Sequence, residues 1–390
     1  MSLPAIDPDT LRDDLLGLLR IPSPTGYTDR IVHHVVEQLT PLGCEVRLTR
    51  RGAIRARFEG EAAKPARAIT SHLDTIGAMV CGLNERGRLA ITSIGTWSAR
   101  FAEGARVTIY SDAGACRGTI LPLKSSGHVY GDEIDTQPVS WSNLEVRVDR
   151  PLFSRGDLVA DGFQVGDFVA IDPAPEVTET GYVISRHLDD KAGVAATLAA
   201  ARALAASGRK PPVDTSLLFT ISEEVGSGAS AVLHGDIAEM VAVDNATPAP
   251  GQGSIEDGAT IAMADSSGPF DFHLTRHLLA LCRKHDVRHA RDLFRFYRCD
   301  AASAIEAGND LRTALVGVGV DASHGYERTH LESLCNVATL LVAYMLSPPT
   351  FERDRSSLAP LGDFQEQPTE LPPGEPLLPR EAWQRPGNSD

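Results

Sequence analysis

Apolar strand-like segments that alternate with helical segments constrain the fold of this 390-residue chain more than any other feature. After residue 167, runs such as FVAIDP, TSLLFTIS and ALVGVGV are separated by segments of helical composition, among them DKAGVAATLAAARALAAS. Strands that alternate with helices form largely parallel sheets. We therefore predict an α/β fold with a doubly wound, mostly parallel sheet, in which ligands bind at the carboxyl ends of the strands.

A segment with a different sequence pattern interrupts this alternation of strands and helices. From 77 to 167, short alternating runs such as ARVTIYSDAGACRGTILPL are separated by turns of Gly, Asn and Asp, which is typical of a small all-β unit. We predict a catalytic domain at 1–76 and 168–346, an inserted β-domain at 77–167, and a proline-rich disordered tail at 347–390. An extended arm that packs on a neighbouring subunit is the alternative for the tail.

The composition restricts the partners that we expect. The net charge of −15 disfavours binding to nucleic-acid phosphates. No run approaches the roughly 18 apolar residues of a membrane span, and the first residues lack the basic and apolar regions of a signal peptide. The six cysteines are scattered, without a C-x-x-C pair, which favours reduced thiols in the cytoplasm. We expect neither a nucleic-acid nor a membrane partner.

Histidine and aspartate residues follow the predicted strands. His72 and Asp74, in SHLDTIG, stand two apart at a strand end, so both side chains can point to the same side. Asp74 could orient a metal-bound histidine through its second ring nitrogen. Asp189, in SRHLDDKAG, lies at a strand–helix junction, where it could bridge two cations or simply cap the helix.

Two adjacent glutamates, Glu223 and Glu224, follow the apolar strand in FTISEEVGSGAS. Neighbouring carboxylates at the end of a buried strand are unfavourable unless positive charge lies nearby. A pair of metal ions would supply that charge, so that one glutamate could bind metal while the other takes a proton from water. An exposed acidic turn is the alternative interpretation.

Three further candidate ligands lie near the end of the fold. Asp244 ends the apolar strand MVAVD, and His324 and His330 precede the closing helix. Either histidine could be a surface or capping residue, although His330 opens a helix with an apolar face, which favours an inward position. Because each motif sits where a parallel strand should end, the sequence predicts a site of histidine and carboxylate ligands that suits zinc, cobalt or manganese.

The order of these motifs, H-x-D, D-D-K, E-E-V-G, V-D and a late histidine, resembles the glutamyl-aminopeptidase and tetrahedral-aminopeptidase family of dinuclear metallopeptidases. The resemblance extends from IPSPTG to the closing helix. In detail the chain most resembles a subgroup associated with the N-acetylglutaminylglutamine amide osmoprotectant system of bacteria. The resemblance implies a zinc-peptidase fold, two divalent metal ions, most readily zinc, and a barrel-like insert that supports homo-oligomers, from dimers to dodecamers.

The resemblance also implies roles for individual residues. The expected ligands are His72 and Asp244 for one metal ion, Glu224 and His330 for the other, and Asp189 as the bridge between them. Glu223 matches the catalytic base of the family, and Asp74 matches its orienting carboxylate.

Two segments depart from the family. Its G-T-D-A segment corresponds here to FYRCDAASA, which keeps Asp300 but places Arg298 and Cys299 before it. Its final R-Y-x-H-S/T-P motif is replaced by GYERTHLE. We expect Asp300, Arg298 and His324 to line the substrate pocket, and these departures bear on substrate specificity.

We therefore predict a metal-dependent exopeptidase, an aminopeptidase that removes N-terminal residues from peptides or peptide-like amides. Glu223 would take a proton from the attacking water and pass it to the leaving amine. The main alternative is a deacylase or amidase that acts on an N-acylated, dipeptide-like small molecule, because related two-metal folds use nearly the same ligands. A non-catalytic metal-binding relative is less favoured because Glu223 is intact.

Overall fold

The computed structural model describes residues 2–233 and 237–368. Its helices are α1 (Pro8–Leu19), α2 (Asp29–Leu39), α3 (Gly127–Tyr130), α4 (Glu133–Thr136), α5 (Arg155–Ala160), α6 (Leu188–Ser207), α7 (Phe272–Lys284), α8 (Asp300–Glu306) and α9 (Leu331–Met345). Its strands are β1 (Glu45–Leu48), β2 (Ile54–Phe58), β3 (Ala62–His72), β4 (Gly77–Asn84), β5 (Arg88–Ile94), β6 (Arg106–Ser111), β7 (Gly114–Pro122), β8 (Leu144–Val148), β9 (Phe168–Ile171), β10 (Glu176–Val177), β11 (Tyr182–Ser185), β12 (Val213–Thr220), β13 (Ile237–Ala246), β14 (Ala259–Ala262), β15 (Ala264–Asp265), β16 (Gly268–Pro269), β17 (His289–Asp292), β18 (Arg312–Gly319) and β19 (Glu327–His330).

The main sheet confirms the predicted α/β fold. Its eight strands lie in the order β1-β2-β12-β3-β13-β18-β14-β17, and the four central strands, from β12 to β18, run parallel. Strand β12 is buried at every position, as expected for a parallel strand that is covered on both faces. The alanine-rich helix α6 packs against β3 and β13, and its small side chains let the helix lie close to the sheet.

The inserted unit is a closed barrel of six strands in the order β4-β5-β8-β7-β6-β9, which confirms the predicted all-β insert. It has its own apolar core, which includes Val80, Ile91, Val107 and Val146. The FVAIDP run, which we predicted as a strand after the insert, supplies β9. This strand closes the barrel because it pairs with both β4 and β6, so the barrel ends at Ile171, four residues beyond the predicted boundary.

The first part of the predicted tail lies against the main domain. Arg67, fully buried on β3, pairs with Glu239 at 3.0 Å and donates to the main-chain carbonyl oxygen of Ser347. Arg312 pairs with Asp354 at 2.7 Å. Residues 369–390 lie outside the described residues, so the disorder that we predict for 347–390 stays a prediction. Among the described residues, no helix is long and apolar enough to cross a membrane.

The parallel strands bring the predicted motifs together at one edge of the sheet. His72 ends β3, and its register partner Thr220 ends β12, three residues before Glu223. Asp244 lies near the end of β13 and pairs with Gly317 on β18. The carboxyl ends of adjacent parallel strands therefore place these side chains around one cleft.

Candidate metal centre

Asp189 lies between two histidines. Its Oδ1 is 3.0 Å from Nε2 of His72, and its Oδ2 is 3.2 Å from Nε2 of His324. Asp189 and His72 are buried. A carboxylate whose two oxygens face two imidazole nitrogens has the geometry to bridge two cations.

Main-chain carbonyl groups orient both imidazole rings. Nδ1 of His72 lies 2.8 Å from the carbonyl oxygen of Asp74, and Nδ1 of His324 lies 3.0 Å from that of Thr96. A carbonyl oxygen only accepts hydrogen bonds, so each Nδ1 carries a proton and donates. When Nε2 is deprotonated, each ring then directs the lone pair of that nitrogen into the cleft, which is the arrangement that a metal-binding histidine requires.

Three further carboxylates complete the cluster. Oε2 of Glu224 lies 3.4 Å from Nε2 of His324, and Oε2 of Glu223 lies 3.9 Å from Nε2 of His72. Ligand atoms of His72, Asp189 and Glu224 lie within 4.8 Å of one another, and the same holds for His72, Glu223 and Asp244. The two groups share His72, so they form one continuous cluster.

The charge balance of this cluster favours cations. Burial raises the pKa of Glu224 and of Asp244 to about 8, and the charge of Asp189 adds to both shifts. Burial alone would lower the pKa of His324, but the bond to Asp189 and the charge of Glu224 outweigh it and raise that pKa to about 10. Buried carboxylates with raised pKa values and imidazole nitrogens form a donor set that fits divalent metal ions.

His330 does not lie with the other predicted ligands. Its Nε2 donates to the carbonyl oxygen of Thr180 at 2.8 Å, and its Nδ1 accepts the main-chain N–H of Glu332 at 3.1 Å, which caps α9. Strand β19 pairs with β11 and places His330 opposite Tyr182, away from the ends of the parallel strands. His330 thus has the capping position that the sequence left as an alternative, while His324 reaches the cluster from the loop after β18.

Asp74 contacts the site through two groups. Its main-chain carbonyl orients His72, and Oδ1 of its carboxylate lies 3.7 Å from Nδ1 of that ring. The carboxylate accepts the main-chain N–H groups of Glu223 and Glu224 at 3.1 and 3.3 Å and the hydroxyl of Thr25 at 2.7 Å. Asp74 therefore holds the backbone of the two glutamates as well as the histidine.

The cleft beside the cluster has a volume of about 750 Å³ and is lined by Arg298 and His324, two of the three predicted substrate residues. The guanidinium of Arg298 pairs with both carboxylate oxygens of Glu306, at 2.5 and 2.7 Å. Asp300 lies behind the cleft, where it accepts the hydroxyl groups of Thr70 and Thr220 at 3.0 and 2.8 Å. Its other oxygen, Oδ1, accepts the main-chain N–H of Ala229 at 2.8 Å, so Asp300 supports the sheet edge and the loop after Glu224 rather than the lining.

Sequence reasoning missed two residues that contact Asp189. The side-chain amide of Asn245 and the hydroxyl of Ser323 both donate to its Oδ2, the second at 3.1 Å. Each is adjacent in sequence to a residue that we had singled out, Asp244 or His324. A polar residue beside a candidate ligand is therefore the signal that could have identified them.

The chain is similar to known aminopeptidases. The family model of M42 glutamyl aminopeptidase matches residues 52–340. The candidate aminopeptidase YhfE of Bacillus subtilis (strain 168) is 37% identical over 332 residues, which cover 85% of this chain and 96% of that protein. The lysyl aminopeptidase of Pyrococcus furiosus is 25% identical over 214 residues, 54% of this chain and 58% of that one.

Solved structures show the same fold. The TET aminopeptidase of the marine sediment archaeon Thaumarchaeota archaeon SCGC AB-539-E09 gives a TM-score of 0.78 at 18% identity, over 86% of this chain and 96% of that one. The TET1 peptidase of Pyrococcus horikoshii gives 0.77 at 21% identity, over 87% of this chain and 100% of that one. The chain therefore belongs to the M42 glutamyl aminopeptidase family and is a metal-dependent aminopeptidase, a hydrolase of peptide bonds.

Proposed function

We propose that this aminopeptidase uses two divalent metal ions that share Asp189. The observation that supports this most is the position of Asp189, with one carboxylate oxygen toward each histidine. The ligands that we assign are His72 and Asp244 for one ion, Glu224 and His324 for the other, and Asp189 for both. His324 here replaces His330 of the sequence prediction, because Nε2 of His330 is engaged with Thr180.

We propose zinc as the native metal, with cobalt and manganese as alternatives. A mixed set of imidazole and carboxylate ligands, without a thiolate among them, supports this choice. When bound, such ions polarise a substrate carbonyl and lower the pKa of a water molecule.

Glu223 is the residue that we assign to proton transfer. The carboxylate of Asp74 accepts the main-chain N–H of Glu223 at 3.1 Å, and the carboxylate of Glu223 lies at the cleft beside His72. Burial raises the pKa of Glu223 well above its usual range, although His72 opposes the shift. A carboxylate with a raised pKa can take a proton from water and hold it until the amine leaves. Asp74 acts as the orienting residue.

We also propose a homo-oligomer in a reducing, cytoplasmic compartment. One related Pyrococcus horikoshii structure is described as assembling into a tetrahedron or a large octahedral shell, and another TET1 structure as a dodecamer. Phe153 and Val165 on the inserted barrel are exposed at 77% and 67%, which supports subunit contacts there. The six cysteines are free, without disulfides between them, which supports the reducing compartment.

Substrate class can be tested with matched amides. We expect metal-dependent release of p-nitroaniline from amino-acid p-nitroanilides, and no release from the same compounds with an acetylated amine. Chelation should abolish the activity, and added zinc should restore it. The panel should include N-acetylglutaminylglutamine amide, because the sequence resembles the subgroup linked to that osmoprotectant.

The same panel separates the two candidate activities. Hydrolysis of the acetylated compounds at the acetyl–nitrogen bond, measured as released acetate, with no activity on free amines, would favour the deacylase alternative over exopeptidase action. Equal rates with and without chelator would contradict the metal-dependent mechanism altogether.

A further inference from the structure

Glu327 lies where two ligand-bearing loops meet. It is the first residue of β19, and its register partner Ser185 is the last residue of β11. In the sequence, Asp189 follows β11 and His324 precedes β19. The pairing of these two short strands therefore places Glu327 between two of the residues that contact the cluster.

The carboxylate of Glu327 bonds to the backbone of both loops. Its Oε2 accepts the main-chain N–H of Leu188 at 2.6 Å and that of Asp189 at 3.2 Å. Its Oε1 accepts the main-chain N–H of His324 at 2.8 Å. Glu327 is 1% exposed, so water cannot replace these bonds if they are lost.

The backbone that these bonds hold is unusual. His324 has a φ of 65°, and His187, which precedes Leu188, has a φ of 67°. Left-handed backbone is unfavourable for residues other than glycine, and it persists when the surrounding structure fixes it. Glu327 accepts the N–H group of His324 itself and that of Leu188, the residue after His187. Its carboxylate therefore holds the backbone at both left-handed residues.

We propose that Glu327 is a positioning residue that sets the spacing of Asp189 and His324 for the second metal ion. This inference rests on the proposed two-metal function. A carboxylate is required because both oxygens accept N–H donors on different loops. A glutamine has one accepting oxygen, and its NH₂ group would face an N–H group on one of the loops. One loop would then lose its support while the fold of the sheet stays intact.

The test is a zinc titration of metal-free full-length protein by calorimetry. Glu327→Gln should weaken the second zinc-binding step by about 10- to 100-fold and leave the first nearly unchanged. Excess zinc should recover part of the lost kcat, because the variant loses activity through lower zinc occupancy of the second site and not through misfolding. The matched control is Asp214→Asn, since Asp214 is a buried carboxylate that accepts the main-chain N–H of Gly60 at 2.8 Å at the opposite end of β12; it should leave both binding steps unchanged.

Each outcome decides the proposal. Two unchanged zinc affinities in Glu327→Gln would overturn it, and so would equal losses in Glu327→Gln and Asp214→Asn. If Glu327→Gln does not fold, Glu327→Asp provides the same measurement with the charge kept and the reach shortened; failure of both variants to fold would assign Glu327 to folding and overturn the proposal. Wild-type protein that binds fewer than two zinc ions would instead contradict the two-metal function.

Discussion

Replacing Glu223 with glutamine should lower kcat by about 10²- to 10⁴-fold while both metal ions stay bound. The substitution keeps the shape of the side chain and removes the carboxylate that accepts the proton. The main-chain N–H of Glu223 would still donate to Asp74, so the neighbouring Glu224, which we propose as a ligand, should keep its position. The measurements are steady-state kinetics on an amino-acid p-nitroanilide and metal content per chain.

Glu59→Gln is the control for this change. Glu59 is an exposed glutamate that pairs with Lys210 at 2.9 Å, so the same chemical substitution there should leave kcat within experimental error. If Glu223→Gln loses a metal ion together with its activity, Glu223 is a ligand and another group acts as the base. Near-normal kcat in Glu223→Gln would contradict its role in proton transfer.

Replacing His324 with alanine should remove one metal ion and abolish most of the activity. Nε2 of His324 lies 3.2 Å from Asp189 and 3.4 Å from Glu224, so its loss leaves one metal position with carboxylates alone. A metal ion contributes several kcal/mol to stabilising the transition state, and each 1.36 kcal/mol is about tenfold in rate. We therefore expect kcat/KM to fall by about 10²-fold or more.

His330→Ala is the matched comparison, because it removes a histidine from the same segment of the chain. His330 caps α9 through Nδ1, so the substitution should cost about 1 kcal/mol of stability and leave metal content and kcat unchanged. Metal analysis, kinetics and thermal unfolding of both variants check this pair. The reverse pattern, with metal lost from His330→Ala and kept in His324→Ala, would restore the ligand set expected from sequence.

Much of the sheet edge could be predicted because it depends on local signals. His72, Glu223 and Asp244 each follow or end an apolar run, and parallel strands place such residues at one edge whatever the details of the loops. The barrel was predictable for a similar reason, since alternating runs with glycine turns indicate antiparallel strands.

The choice between His324 and His330 depends on contacts that are distant in sequence. Both histidines lie shortly before α9 in the sequence, so their spacing alone does not show which of them is a ligand. The pairing of β19 with β11 joins His330 to Tyr182, and nothing near residue 330 signals that pairing. For the same reason the support that Asp300 gives to Thr70 and Thr220 could not be predicted, because these residues lie on different elements.

The two-metal centre that we propose around Asp189 is tested most directly by anomalous scattering at the zinc absorption edge, from crystals of the zinc-loaded protein. We predict two anomalous peaks in each chain, one between Asp189 and His72 and one between Asp189 and His324. A single peak, or a peak beside His330 in place of the one beside His324, would contradict this account.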